Sequence, residues 1–280
     1  AARQGNAGLL DWGWPLQLIT LGVAALSAVA LILLPSRPLA ARSDPRLRRV
    51  TASYFLLIGL GFLLIEIAVM QRLILLLGGP VHGLALTLAT FLIGAGLGSG
   101  EAAWAERAPL GVPGLWLGRL DLATLLVASL ALLHALVAPS LLELGLEWAT
   151  LPRAMLAVAT MAPLAVAMGL PFPLALARLR TAAPALVPWS WGVNGCASVI
   201  AAALAGLLAM SLGSRGVIIL GAVAYAIAAL VQQGISGSMA DEGPSSLESA
   251  PRSSRSELRE EGAPRHSCGE SAAPVVRSRT

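Results

Sequence analysis

Charged residues are scarce in this 280-residue sequence. They make up 12% of it, whereas soluble domains carry about 25%. Apolar residues account for 56% of the chain, and its mean hydropathy is +0.77. The composition therefore indicates an integral membrane protein rather than a soluble domain.

Cysteine is scarcer still, with two residues. Cys196 lies in an apolar run and Cys268 lies in the C-terminal tail, without a CxxC motif or a Cys/His spacing suited to a metal. No polar segment contains a Ser/His/Asp set, a pair of catalytic carboxylates or a phosphate-binding loop. We therefore expect no disulfide framework, metal, cofactor or catalytic residue in this chain.

Long apolar runs dominate what is present. Seven segments approach the roughly 20 residues that a bilayer core of about 30 Å requires. They show no sustained alternation of period two, and in lipid a helix satisfies its own backbone. The sequence therefore predicts an all-α, polytopic membrane helix bundle with spans near 16–34, 54–77, 82–99, 120–138, 154–177, 189–211 and 216–231.

The domain organisation follows from these runs. Residues 1–15 are predicted to be an N-terminal stub, and residues 16–233 a transmembrane helical domain. From residue 234 the chain is rich in Ser, Glu and Arg, with little to bury against the entropy of ordering, so 234–280 is predicted to be disordered. The first residue is not Met, and no signal peptide precedes the first run, so the chain is expected to begin within a longer protein or after processing.

Lysine is absent, and all nineteen basic residues are arginine. They form no basic stripe with interleaved aromatic residues, so nucleic-acid binding is not expected. Cytoplasmic loops are enriched in basic residues, and the arginine-rich side of the predicted spans should therefore face the cytoplasm. That side holds nine arginines: Arg37, Arg42, Arg46, Arg48, Arg49, Arg107, Arg119, Arg178 and Arg180. The opposite side holds four: Arg3, Arg72, Arg153 and Arg215.

This count predicts that Ala1 lies outside and that the tail lies in the cytoplasm. One carboxylate, Glu66, lies deep in the second span, in "GLGFLLIEIAVMQRLILLLGG". A charge there costs several kcal/mol unless it is paired or wetted. Arg72 lies six positions on, about 240° around the helix, so it is not an i, i+4 partner. Three roles remain open for Glu66. It forms a hydrogen bond to a neighbouring helix, it is a substrate or proton site, or it lies near the membrane–water interface.

Small and polar residues mark further candidate positions. Gly94, Gly96, Gly98 and Gly100 form two overlapping small-xxx-small pairs that favour close helix packing. They do not form a nucleotide-binding fingerprint, because Ser occupies position 99 and the run is a membrane helix.

Prolines and a polar helix face complete the candidates. The fifth span is predicted to have kinks or breaks at Pro163, Pro171 and Pro173. Such kinks occur where a helix bends around a neighbour, and they also occur beside transport sites. Asn194 and Ser198 share one face of the sixth span, and they either bind substrate or form hydrogen bonds between helices. Together with Glu66 and Arg72 they make up the predicted intramembrane polar site.

Three stretches carry a resemblance over roughly residues 50–230: "YFLLIGLGFLLIEIAVMQRLILLLGGPVHGLALTLATFLIGAGLGS", "MGLPFPLALARL" and "PWSWGVNGCASVIAAALAGLLAMSLGSRGVIILGAVAYAIAAL". They resemble the membrane region of bacterial multi-span spermidine synthase-like proteins. Glu66 and Arg72 match the Glu and basic positions of that family, the pair Pro171 and Pro173 matches its Pro-Phe-Pro, and Asn194 lies in a similar Trp-x-x-Asn-Gly segment. Gly79 stands where the family has the His of Gly-His-Pro, and a histidine follows only at position 82.

The resemblance implies a soluble, Rossmann-like aminopropyltransferase-type domain upstream in the full-length protein. An S-adenosyl donor would place such a domain in the cytoplasm, which conflicts with the start outside that the arginine count predicts. The leading hypothesis is a membrane domain, non-catalytic by itself, with a polar site at Glu66 and Asn194. The alternatives are a stand-alone transporter or channel component for a small, polyamine-like cationic solute, and a structural scaffold whose glycine faces support homo-oligomers.

Overall fold

The computed structural model describes residues 13–28, 30, 34, 43–107 and 119–232. The predicted tail, 234–280, and most of the N-terminal stub lie outside these residues. Apart from short connections, the described chain is helical, which confirms the all-α prediction. The helices are α1 (Gly13–Ala28), α2 (Pro45–Leu77), α3 (Pro80–Arg107), α4 (Leu120–Leu144), α5 (Thr150–Met168), α6 (Pro171–Ala182) and α7 (Val187–Val231), with a 3-10 turn at Pro184–Leu186.

Five stretches of described helix are long and apolar enough to cross a membrane: Pro45–Leu77, Pro80–Ala103, Leu120–Leu144, Thr150–Ala182 and Pro184–Val231. Helix α1 is apolar but shorter. The predicted count of seven separate spans is therefore not confirmed. The sixth and seventh predicted spans correspond to the two halves of α7 on either side of a break at Gly213, and the fifth covers the junction between α5 and α6.

Local signals explain where the helices begin and end. Asp44 caps α2, because its carboxylate accepts a hydrogen bond from the Leu47 N–H at 2.9 Å, and Pro45 occupies the first turn. Gly78 ends the same helix in the left-handed conformation, with φ of 71°. A two-residue connection then starts α3 at Pro80, so α2 and α3 run antiparallel.

Helix α7 folds back on itself at Gly213. That residue has φ 69° and ψ 168°, a conformation that favours glycine. Asn194 before the break contacts Gly59, and Gly221 after it contacts Gly61 and Ile65. In a straight helix residues 194 and 221 would lie roughly 40 Å apart, whereas residues 59 and 65 lie about 9 Å apart. The two halves of α7 therefore both lie along the same part of α2. Positions 59 and 61 are about 200° apart around that helix, so the two halves pack on different faces of it.

Helix α2 is accordingly the central helix of the described bundle. It carries fully buried side chains along its length, including Tyr54, Ile65, Val69 and Leu73. Gly61 and Gly221 bring the backbones of α2 and α7 together, because a Cβ on either would lie 3.1 Å from the carbonyl oxygen of the other.

Helices α3 and α5 meet through a second set of small residues. A Cβ on Gly94 would lie 2.6 Å from the Ala165 Cβ, and a Cβ on Gly98 would overlap the Val166 carbonyl oxygen. Gly169, in the turn after α5, approaches the Ala95 carbonyl in the same way. Gly96 and Gly100 lie on the other face of α3, where an added Cβ would meet nothing within 4 Å.

This contrast provides a matched test of the α3–α5 contact. Gly98→Ala should lower the thermal unfolding midpoint in detergent by several degrees, because overpacking costs about 1 to 3 kcal/mol. Gly96→Ala should leave the midpoint unchanged or raise it, since alanine favours a helix over glycine by about 1 kcal/mol. Equal midpoints for the two variants would contradict the contact.

Candidate functional site

A cleft of about 330 Å³ opens beside α2, between α3, the α5–α6 junction and both halves of α7. Its walls are mainly apolar and aromatic, which is usual for a small-molecule site, and its volume lies at the low end of the range for such sites. The lining residues are Ile58, Phe62, Leu63, Ala95, Ser99, Met168, Gly169, Pro171, Phe172, Pro173, Asn194, Ser198 and Tyr225.

Four of these residues bring polar side chains to the cleft. Asn194 and Ser198 come from the first half of α7, Tyr225 from its second half, and Ser99 from α3. Ser198 donates a hydrogen bond to the Gly59 carbonyl at 3.4 Å. Within the described part of the chain, Asn194, Ser99 and the Tyr225 hydroxyl form no side-chain hydrogen bond. Asn194 and Ser99 are also at least partly exposed, so these two side chains remain available to a solute.

Gly59 allows this arrangement. A Cβ at this position would lie 2.7 Å from the Asn194 carbonyl oxygen and 2.8 Å from its Oδ1. Any larger residue would push α7 away from α2 and would displace Asn194. The glycine therefore sets how closely the polar face of α7 approaches the central helix.

Aromatic rings form one wall. Phe172 packs edge-to-face between Phe55, at a centroid distance of 5.5 Å, and Trp191, at 4.7 Å. Phe62 on α2 makes a similar contact with Phe91 on α3 at 6.4 Å. These pairs hold Phe62 and Phe172 at the cleft in defined orientations.

A buried polar network lies behind this wall. The Thr124 hydroxyl donates to the Leu120 carbonyl at 2.7 Å, so its oxygen accepts from the Tyr54 hydroxyl at 3.1 Å. Tyr54 also lies 3.5 Å from the Pro171 carbonyl. Both side chains are fully buried. The network ties α2 and α4 to the first residue of α6, next to the cleft.

The predicted prolines fall into two places. Pro171 starts α6 after the turn at residues 169–170, and both Pro171 and Pro173 line the cleft. Pro163 lies inside α5 and faces a separate cavity of about 140 Å³, which His134 and Thr160 also line. The helix break therefore borders the cleft, whereas the third proline does not.

Glu66 lies next to the cleft rather than in its lining. It is four residues after Phe62 and seven after Gly59, so the three residues share one face of α2 and Glu66 is roughly 6 Å along the axis from Phe62. Its side chain is half-buried. Among the described residues it forms no hydrogen bond or ion pair, so no described interhelical bond supports a helix-packing role for it.

Arg72 does not share this site. It lines a different cavity near the C-terminal end of α2, together with Glu143 of α4. The cleft therefore unites Asn194, Ser198, Pro171 and Pro173, with Glu66 one turn away and Arg72 apart.

Sequence reasoning missed Tyr225, Ser99, Phe62 and Phe172 as cleft residues. Tyr225 offered a signal, because it is one of two tyrosines in the chain and the run around it is apolar. Phe172 also offered one, because it lies between Pro171 and Pro173. Phe62 and Ser99 had no distinguishing pattern, since phenylalanine and serine are ordinary residues of membrane helices.

Comparison of the chain with protein-family models, curated proteins and solved structures gave no match. The resemblance to spermidine synthase-like proteins therefore stays a hypothesis, and the cleft geometry is the basis for a proposed function.

Two tyrosines allow a matched test of the buried network. Tyr54→Phe should lower the free energy of unfolding in detergent by about 0.6 kcal/mol and at most about 1.7 kcal/mol, because it removes the bond to Thr124. Tyr225→Phe should not lower it, because the Tyr225 hydroxyl has no partner among the described residues. The assignment fails if Tyr225→Phe is as destabilising as Tyr54→Phe.

Proposed function

We propose that the chain is the membrane domain of a spermidine synthase-like membrane protein and is not catalytic by itself. We further propose that its cleft, together with Glu66, binds a small, polyamine-like cationic solute. One observation supports this above others: Pro171, Pro173 and Asn194, three positions of the family resemblance, line the same cavity, and a fourth, Glu66, lies one helical turn from it.

The chemistry of the cleft suits such a solute. Methylene segments of a polyamine would pack against the apolar walls, and its ammonium groups would donate to Asn194 Oδ1, the serine hydroxyls and the Glu66 carboxylate. The faces of Phe62 and Phe172 would add cation–π attraction. Glu66 would gain the charged partner that no described residue supplies.

Binding of radiolabelled spermidine to the purified protein tests the proposal. Glu66→Gln keeps the side-chain shape and removes the charge, so we expect affinity to fall at least tenfold, or about 1.4 kcal/mol. Asn194→Ala should weaken binding by a smaller factor. Glu147→Gln is the matched control, because Glu147 is exposed in the turn after α4, and it should bind like the wild type.

Thermal unfolding of each variant shows whether the fold is kept. Spermidine that does not bind saturably to the wild-type protein contradicts the proposal. A folded Glu66→Gln variant with unchanged affinity contradicts the assigned role of Glu66.

A transporter or channel component is the second candidate, and the helix break beside the cleft favours it. The turn between α5 and α6 contributes Gly169 to the lining, and the first residue of α6 contributes Pro171. Discontinuous helices often border transport sites. Wild-type proteoliposomes should then accumulate spermidine under an inside-negative potential, and Glu66→Gln should abolish uptake. Saturable binding without uptake would exclude this candidate while leaving the binding proposal standing.

We also propose that the protein lies in the bacterial inner membrane, as the family resemblance implies, with the tail in the cytoplasm, as the arginine distribution predicts. Cys268 of the tail reports on it, because the other cysteine, Cys196, is buried. A membrane-impermeant maleimide should label Cys268 in inverted vesicles and not in intact spheroplasts, and Cys268→Ser should remove the signal. Labelling in intact spheroplasts would reverse the orientation.

A further inference from the structure

The cavity that Arg72 lines, of about 270 Å³, lies between the C-terminal ends of α2 and α4 and shares no residue with the cleft. Arg72 and Glu143 both line it, and the remaining lining residues are Leu75, Leu76, Pro139, Leu142 and Leu146. Arg72 is five residues from the end of α2, roughly 8 Å along the axis. Glu143 is the penultimate residue of α4. The cavity therefore lies near one end of the bundle.

The two charged residues of this cavity do not pair with each other. The ion pair formed among the described residues joins Arg119 to Asp121 instead. The Arg72 Nη1 is buried and has no hydrogen-bond partner in the described part of the chain. A buried guanidinium N–H without a partner is costly, so this group favours an acceptor from outside the chain. Glu143 is exposed and retains its capacity to accept hydrogen bonds.

A third charged residue builds the cavity wall and is not available to a ligand. Arg153 donates to the carbonyl of Leu76 at 3.1 Å, and also to that of Leu146. Further bonds reach the carbonyls of Gly145, at 3.3 Å, and Trp148, at 2.8 Å. Two of the four carbonyls thus belong to cavity-lining residues. Arg153 therefore holds the end of α2 and the turn after α4 in the positions that form the cavity.

The surface around the cavity is apolar. Leu75 is 84% exposed, Leu144 is 70% exposed, and Leu146 and Trp148 are about half exposed. In a membrane helix bundle such side chains face lipid, and a tryptophan at a helix end suits the headgroup level. An anionic group beside Arg72 would be attracted by its charge.

We propose that this cavity binds the headgroup of a phosphatidylethanolamine-type phospholipid. The phosphate would accept from Arg72, the primary ammonium would donate to Glu143, and the acyl chains would lie along Leu75 and Leu144. A phosphate with a nearby N–H cation matches an arginine and a glutamate that share a cavity without pairing. A choline headgroup has no N–H to donate to Glu143, and a glycerol headgroup carries no positive charge.

Native mass spectrometry of the purified full chain with added lipids tests this proposal. Dioleoyl phosphatidylethanolamine should be retained at least fivefold more than the phosphatidylcholine or phosphatidylglycerol with the same acyl chains. Glu143→Gln should remove this preference, and Arg72→Gln should reduce retention of all three lipids. Arg180→Gln and Glu147→Gln are charge controls, because both residues are exposed outside the cavity, and they should retain the wild-type preference.

Several results would overturn the proposal. Equal retention of the three lipids by the wild type would do so, as would an unchanged preference in the Glu143→Gln variant, which alters an exposed residue and is expected to fold. Soluble glycerophosphoethanolamine should raise the thermal unfolding midpoint much less than the lipid at equal concentration. Equal protection by the two would identify a free headgroup compound as the ligand and would contradict the lipid assignment.

Discussion

The close approach of α7 to two faces of α2 is the constraint on which the described structure depends. Glycines make it possible, because Gly59 admits Asn194 on one side, and Gly61 and Gly221 meet on the other. In lipid the hydrophobic effect does not drive helices together, so the stability of the bundle comes from such contacts between closely spaced backbones. The left-handed φ of Gly213 supplies the turn that lets one helix reach both faces.

The cleft is a consequence of this packing. Beside the close contact at Gly59, the cleft is lined by the larger side chains of Ile58, Phe62 and Leu63 of α2. The break at residues 169–170 adds to the opening, because α6 starts anew at Pro171 instead of continuing α5 along α3. The Tyr54–Thr124 network holds α2 and α4 near Pro171. A space lined by apolar walls and a few polar groups results.

Charge is distributed between two regions of the same central helix. Glu66 is on the face of α2 that forms the cleft, and Arg72 lies farther along, in the cavity with Glu143. Neither has an ion-pair partner among the described residues. Charged groups inside membrane segments are expensive and usually mark functional positions. The two proposals assign Glu66 to a cationic solute and Arg72 to a lipid phosphate.

Some of this was determined by the sequence alone. Length and hydropathy of the runs predicted an all-α membrane bundle, because a lipid-exposed backbone must satisfy its own hydrogen bonds. The positions of Pro171 and Pro173 predicted a helix break, and the spacing of Asn194 and Ser198 placed both on one face, since helix geometry is local. Those features need no knowledge of neighbours.

The tertiary structure decided which of these residues meet. Gly94 and Gly98 contact α5, while Gly96 and Gly100 point away, although the sequence pattern treats the four alike. Tyr225 reaches the same cleft as Asn194 only because α7 folds back at Gly213, and hydropathy does not encode the direction of that turn. Arg72 is separated from Asn194 because distance across a bundle depends on packing between helices, and the periodicity of one helix carries no information about its neighbours.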